Sequence, residues 1–304
     1  MLTATCSRRY SVAEPLLSVI VATRDRPAQL AACLEALAAL EDPVEVVVVD
    51  SASPTPCGRI AERFLDRIPR LRYLYEQQPG LSRARNRGVA EASCELVAFV
   101  DDDAAVTPDW ARRLTAAFDD ARVGCAGGTC RPRFESARPG WLSERLLQFA
   151  GVTRIGSTPR AARSGAEYPF GANICFRRAA LAEAGGFREE LGRSGRRLLS
   201  CEESDAIDRL RERGWLVWLQ PDAVVDHAVA AERCSSAYYW RRLWWQGVSR
   251  ARGERSLRLA LRLVVAAPVR FLLWLATRDR VHLYRTAETA GYLVEVTRLH
   301  DEAR

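Results

Sequence analysis

The 304 residues are 48% hydrophobic and 27% charged, which excludes a disordered or fibrous chain and leaves one large domain or two modest ones. Nine scattered cysteines without a C-x-x-C pair, and three histidines, argue for a reducing compartment and against a zinc site. The net charge of +7 is carried entirely by Arg and is unevenly placed: residues 233–304 hold 14 Arg against 6 acids, residues 1–232 hold 31 against 32. The basicity therefore belongs to a C-terminal appendage and not to the body. Residues 1–15 contain no apolar leader core, so no signal peptide is expected there.

In chain order, Leu17–Ala22 is an apolar run that predicts a buried strand, and the turn after it ends in Pro27, suited to a helix's first position. Leu30, Leu34, Leu37 and Ala38 then recur at helical spacing. Val44–Val49 predicts a second strand, residues 50–56 a loop, and Ile60, Phe64 and Ile68 a second helix. Leu71–Tyr75 reads as a third strand and Leu81–Ala92 as a third helix behind Pro79 and Gly80. The apolar run Leu96–Val100, behind Glu95, is a fourth strand that ends abruptly in Asp101, Asp102 and Asp103. Thr107 as N-cap, followed by Pro108, Trp110, Leu114 and Phe118, opens a fourth helix.

Strands alternating with helices at this spacing predict a mostly parallel sheet covered on both faces. In such sheets ligands sit at the carboxyl ends of strands, where the Asp triplet lies. Three adjacent carboxylates repel one another unless a cation sits among them, and oxygen ligands of this kind suit Mg²⁺ or Mn²⁺ together with substrate phosphates. The plainer alternative is that the acids cap the next element and face solvent. Neither G-x-G-x-x-G nor G-x-x-x-x-G-K-[ST] occurs, so a diphosphate bound here would depend on a metal held by acids.

The succession VIVATRDRP, VVVVDSAS, QPGLSRARNRG, FVDDDA, GANICFRR, GGF, SCEESD and a later DHA resembles a family 2 glycosyltransferase from Leu17 to Ala228. The resemblance implies the GT-A fold: an α/β, Rossmann-like, mostly parallel sheet with flanking helices, here with a C-terminal helical extension. It divides the chain into a nucleotide-sugar-binding half (1–104), an acceptor-binding half (105–232) and a basic amphipathic extension (233–304). It further implies a UDP-, GDP- or dTDP-sugar donor, Mn²⁺ or Mg²⁺, and inversion at the anomeric centre. Ala22, Thr23, Arg24 and Asp50 would hold base and ribose; the family often has Asp-Asn or Asp-Asp where this chain has Asp50 and Ser51. Arg83, Arg85 and Asn86 fall where the family meets the nucleotide-sugar. Asp103 would be the foremost metal ligand, with Asp101 or Asp102 toward ribose and sugar. Asp101 is also a candidate ligand, and His227 matches a histidine that joins the metal–diphosphate site in some relatives.

Inverting transfer needs a carboxylate to take the acceptor's proton while the acceptor attacks opposite the leaving diphosphate. The resemblance places such an acid in a Glu-Asp pair, read here as Glu202 and Glu203, with Glu203 at the Asp position, Glu202 next and Asp205 third. Ser200–Glu203 also has the pattern of a capping box, which would give Glu203 a structural task instead. Gly171–Phe176 and Gly185–Phe187 resemble acceptor-side segments, and residues 131–168 resemble the variable insertion that shapes the acceptor pocket. Trp141 within it could stack on a sugar ring or pack in the core.

Beyond Val229 the pattern turns helical. Trp240, Leu243 and Trp244 share a face that should pack on the body, and no Gln-x-x-Arg-Trp motif of processive relatives occurs, so single-sugar transfer is expected. Leu257–Ala276 would be about 30 Å long as a helix. Arg258, Arg262 and Arg270 form a stripe on it and Pro268 would kink it, which favours an interfacial helix on an anionic membrane over a helix packed inside the protein or in a dimer; a transmembrane span is not expected. The enzyme is thus expected in the cytoplasm, at the inner face of the membrane, using a glycan, lipid-linked or small-molecule acceptor. Three other readings stand beside it. A sugar nucleotidyltransferase would want glycines after the first strand, which Ala22–Asp25 lacks. An inactive scaffold would have lost the acids. A nucleic-acid binder would find only weak, salt-sensitive support in the basic tail, so no specific nucleic acid is expected.

Overall fold

The structure is a computed structural model and describes residues 14–301, apart from 154, 164–166, 196 and 255. The expectation of no leader peptide falls mainly on residues 1–13, outside the described ones.

Strand β1 (Ser18–Thr23) is buried along its length because it lies between two parallel neighbours, β2 (Glu45–Ser51) and β4 (Leu96–Phe99). Helix α1 (Pro27–Leu37) connects β1 to β2, starts on Pro27 as expected, and buries Leu30, Cys33, Leu34 and Leu37. The second helix is shorter than expected. Only Gly58–Glu62 (α2) is helical, and Phe64 and Ile68 reach the core from the tight turns that follow. β3 (Leu71–Glu76) and α3 (Leu81–Glu91) match the sequence reading.

After the Asp triplet a short strand absent from that reading, β5 (Ala104–Val106), intervenes before α4 (Trp110–Thr115). Thr107 is not the N-cap of α4. Its hydroxyl donates to Val224 O at 3.3 Å and is bound to Asp109, and the helix begins two residues later than a Thr107 cap requires. The long β6 (Val123–Phe134), α5 (Glu144–Leu147), the two-residue β7 (Arg160–Ala161) and β8 (Ile174–Arg177) lead to α6 (Arg178–Glu183), α7 (Glu202–Glu212) and the long β9 (Leu216–Val229).

All nine strands form one sheet, ordered β3-β2-β1-β4-β8-β6-β9-β5 with β7 against β9. β1 to β4, β6 and β9 run parallel to one another, while β5, β7 and β8 are antiparallel to their neighbours. Two apolar clusters flank the sheet. One is centred on Leu17, Leu30, Trp110 and Leu114, the other on Ile20, Phe99, Phe176 and Ile207. The β4–β8 pairing joins the two halves of the chain into this one sheet and brings the Asp triplet beside the β9 segment that carries His227.

Helices α8 (Ser236–Gly253) and α10 (Arg280–Asp301) pack on each other and against the body. Their backbones pass so closely that a Cβ on Gly247 would lie 1.9 Å from Glu288 O, and one on Gly291 2.2 Å from Trp244 O. They bury Tyr239, Leu243, Tyr284 and Tyr292, together with Leu142, Leu146 and Val229. Trp141 joins this cluster, edge-on to Tyr239 at 5.7 Å, so packing and not sugar stacking accounts for it. Of the expected contact face, Leu243 is buried, while Trp240 lies at the rim, 38% exposed.

α9 (Leu257–Thr277) differs. Between Arg258 and Thr277 it is long and apolar enough to cross a membrane, yet it stays largely uncovered, with Leu261, Val265 and Leu272 at 59%, 71% and 63% exposure. The arginine stripe is incomplete: Arg258 and Arg262 are exposed, but Arg270 turns onto α10, donating to Arg285 O at 3.2 Å and Thr289 Oγ1 at 2.8 Å.

Candidate active site

A cleft of about 1060 Å³ opens at the carboxyl ends of β1, β2 and β4. It is lined by Ala22, Thr23 and Arg24 at the end of β1, by Asp101, Asp102 and Asp103, by Glu202 and Glu203 opening α7, and by His227. The three aspartates have different environments. Asp102 is buried and accepts from Thr23 Oγ1 at 2.8 Å and Arg26 Nη1 at 2.9 Å. Burial, to which the Asp103 charge adds, lifts its pKa to about 6 in spite of Arg26. Asp103 meets Arg26 at 3.2 Å, Arg233 at 2.9 Å and His227 Nε2 at 3.2 Å. Burial acts to raise it too, but the His227 hydrogen bond and the Arg233 and Arg26 charges prevail and hold it well below the usual carboxylate range. Asp101 is more open and, among the described residues, is ion-paired to Arg85 alone, at 3.4 Å.

One ligand atom from each of Asp101, Asp103 and His227 lies within 4.8 Å of the others. Two carboxylate oxygens and an imidazole nitrogen suit a divalent first-row cation, so the donor set fits the metal that the sequence implies. The antiparallel pairing of β5 with β9 sets Ala104 opposite His227 and so holds the histidine beside Asp103. His227 Nδ1 is buried and has no partner among the described residues.

Helix α3 supplies the link to the glutamates. Arg85, buried between the Phe99 and Phe187 rings, reaches Glu202 at 3.1 Å, Glu203 at 3.4 Å and Asp101 at 3.4 Å. Glu202 is buried, its Oε2 has no partner among the described residues, and burial together with the Glu203 charge raises its pKa to about 8. Glu203 is more accessible and accepts the Gly171 N–H at 3.1 Å. That contact requires glycine: a Cβ at residue 171 would stand 2.1 Å from Glu203 Oε1 and 2.3 Å from Arg85 Nη2.

The capping box does not form. Cys201, with a left-handed backbone, is the N-cap and makes no side-chain cap bond, while Ser200 Oγ turns to Gln246. Glu203 is thereby free of the capping task. Asp205, the third candidate, is held by Arg209 at 2.6 Å and Arg188 at 3.3 Å.

Three residues expected at the nucleotide do not line the cleft. Asp50 is fully buried, accepting from Ser53 N, Cys57 N and Tyr73 Oη at 3.0, 2.8 and 2.8 Å; it shapes the loop after β2, and its neighbour Ser51 lines the cleft instead. Arg83 pairs with Glu189, and Asn86 is tied to both backbone groups of Phe187. Their α3 neighbour Arg85 is the one that faces the site, because helical geometry turns Arg83 and Asn86 elsewhere. Sequence reasoning missed Arg26 and Arg233. Arg26 precedes Pro27 in a loop, and Arg233 is the first residue of the basic extension; only the fold brings both onto Asp103.

A model of the family described as "Glycosyl transferase family 2" matches residues 18–184. The chain belongs to that family. It is therefore a glycosyltransferase, and its sheet and flanking helices are the GT-A fold. The chain is 27% identical over 216 residues, 70% of it and 68% of the relative, to the glucosyl-dolichyl phosphate glucuronosyltransferase of Haloferax volcanii. It is 25% identical over 78% of its length to the succinoglycan biosynthesis protein ExoM of Rhizobium meliloti, covering 74% of that protein. It spans only 31% and 33% of two Bacillus subtilis glycosyltransferases. Among solved structures, the fold resembles the Pyrobaculum calidifontis mannosyltransferase PcManGT in complex with GDP-Man and Mn²⁺, at TM-score 0.62 and 19% identity, covering 93% and 88% of the two chains. It also resembles S. aureus TarS 1–349 in complex with UDP-GlcNAc, at TM-score 0.56 and 17% identity, covering 94% and 92%.

Proposed function

We propose that this family 2 glycosyltransferase moves a single sugar from a nucleotide-sugar to an acceptor hydroxyl with inversion, using a divalent cation at Asp101, Asp103 and His227 and Glu203 as the base. The observation that carries the reading is Arg85, one buried guanidinium that touches both a metal-site acid, Asp101, and Glu203. It sets the proton acceptor beside the end of the cleft where the donor's diphosphate would lie. Residues 1–104 hold the donor through Ala22, Thr23, Arg24 and Ser51, residues 105–232 hold the acceptor, and residues 233–304 form the extension.

In the transfer, the acceptor oxygen attacks the anomeric carbon and its proton passes to a Glu203 oxygen, while the bond to the diphosphate breaks and its electron pair leaves with the diphosphate. Arg26 and Arg233, drawn to Asp103, stand where they face the leaving group. A divalent cation, when bound, neutralises charge on that diphosphate. The imidazole in the donor set favours Mn²⁺ over Mg²⁺. The structural neighbours are in complex with GDP-Man and UDP-GlcNAc, which supports a nucleoside diphosphate donor without choosing the base.

The test is thermal-shift and hydrolysis screening of UDP-, GDP- and dTDP-sugars with Mn²⁺ or Mg²⁺. One donor should stabilise the wild type only with metal, and Asp103→Ala should abolish this. Glu203→Gln should still bind donor but transfer about 10²–10⁴-fold more slowly. If no nucleotide-sugar binds with any metal, the reading fails.

The exposed α9 supports work at an anionic membrane surface on the cytoplasmic side. Arg270 fastens α9 along α10, and α10 is locked to α8, so the helix presents its outer apolar face to lipid and lies in the interface without spanning it.

A further inference from the structure

Most cleft arginines hold an acid: Arg26 and Arg233 hold Asp103, Arg85 holds the glutamates, Arg209 holds Asp205, and Arg250 meets Glu288. On the wall formed by α8 and the loop before α7, three others line the cleft: Arg242, Arg193 and Arg197. Among the described residues, none of the three is ion-paired to an acid. Arg242 is the most constrained. Its Nη1 donates to Ser200 Oγ at 3.3 Å and Gln246 Oε1 at 3.0 Å, both neutral, and its Nε is buried with no partner. Burial, joined by the like charge of Arg193, lowers the Arg242 pKa, and the same Arg193 charge is felt at Glu202. Arg193, Arg242 and Glu202 line the same cleft.

A guanidinium whose Nε–H is buried and unused is unfavourable until an acceptor arrives. The planar fork of Arg matches the oxygens of a phosphate, which offers enough acceptors and charge for several arginines at once. The position indicates which phosphate. Ser200, which Arg242 touches, lies three residues before the proposed base Glu203, whereas Arg26 and Arg233 attend Asp103 at the metal end.

We propose that Arg242, with Arg193 and Arg197, forms a phosphate subsite for the acceptor, so that the acceptor is a phosphate ester. This rests on the transferase reading above and specifies its substrate class. The ester is either the headgroup of a lipid-linked sugar or a soluble sugar phosphate.

The experiment uses the full chain with its donor site first saturated by nucleotide and Mn²⁺. Decyl phosphate, inorganic phosphate and decyl glucoside are then titrated calorimetrically into wild type, Arg242→Met and Arg193→Gln. A phosphate-bearing probe should bind wild type saturably and at least ten-fold more weakly to Arg242→Met, with nucleotide affinity unchanged. Decyl glucoside should not compete. Decyl phosphate binding much more tightly than inorganic phosphate points to a lipid-linked acceptor, and similar affinities point to a soluble one. Ligand-free Arg242→Met should melt no lower than wild type, since it loses a buried N–H that has no partner; a purely structural arginine would lower the melting point. Arg193→Gln, on an exposed loop, gives the same reading without risk to the core. The proposal is overturned if neither phosphate probe binds, if both variants bind as wild type does, or if Arg242→Met weakens the nucleotide instead, which would assign the cluster to the donor. Titration without nucleotide separates the two readings: arginine-dependent phosphate binding in a protein that takes up no nucleotide-sugar would sink the proposed donor site and leave the phosphate subsite.

Discussion

Gly171→Ala tests the geometry of the proposed base most directly. The added methyl would lie 2.1 Å from Glu203 Oε1 and 2.3 Å from Arg85 Nη2. Non-bonded contact needs about 3.5 Å, so the carboxylate must retreat by roughly 1 Å or more. It cannot retreat and keep the 3.1 Å bond from the Gly171 N–H. A displacement near 1 Å costs on the order of 10²-fold in rate when a catalytic group loses its attack geometry. Overpacking should also cost about 1–3 kcal/mol of stability, a few degrees in melting temperature for a chain of this size. The methyl also meets Arg85 Nη2, the nitrogen that reaches Asp101, but it leaves Asp103, His227, Arg26 and Arg233 in place, so kcat for transfer should fall far more than nucleotide-sugar affinity. Steady-state transfer kinetics with direct donor-binding measurements checks both halves. A kcat within three-fold of wild type would refute the idea that Glu203 works from its seat on Gly171, and a parallel loss of donor affinity would show that the residue serves the whole cleft.

Glu202 has a folded pKa of about 8, above its unfolded value, so the native state binds the extra proton between the two. Its contribution to stability is full below the unfolded pKa and is lost as pH rises toward about 8. Melting curves from pH 5 to 9 should show this decline in wild type and a flatter profile in Glu202→Gln; identical slopes would contradict it. Gly247→Val should destabilise by several kcal/mol, because its Cβ meets Glu288 O at 1.9 Å and two helix backbones must part; an unchanged melting temperature would mean that α8 and α10 are not locked as described. Replacing the exposed Leu261, Val265 and Leu272 by Gln should leave the melting temperature nearly unchanged and abolish co-flotation with anionic liposomes. Retained flotation would place the lipid contact elsewhere.

The order of strands and helices over the first 100 residues was legible because buried parallel strands are continuous apolar runs, and helices repeat every three to four residues. The Asp triplet at the end of such a run, and the motif succession around it, sufficed to name the family and most of the cleft. Long-range pairing was not legible. β5, β6 and β9 owe their places to one another, and no local pattern announces that the pairing of Ala104 with His227 brings a distant histidine to Asp103. Local patterns also misled. Ser200–Glu203 spells a capping box, but the tertiary structure offers Glu203 the Gly171 N–H and Arg85 and gives Ser200 to Gln246. Asp50 has the right place in sequence, yet the loop after β2 consumes its oxygens. Sequence alone determined which residue types and elements were available, because composition and periodicity are local. The assignment of each charge to a task was decided only by tertiary structure, because a buried charge takes whichever partner the fold sets within about 3 Å, and Arg26, Arg85 and Arg233 are 76 or more, 16 and 130 residues from the aspartates they hold.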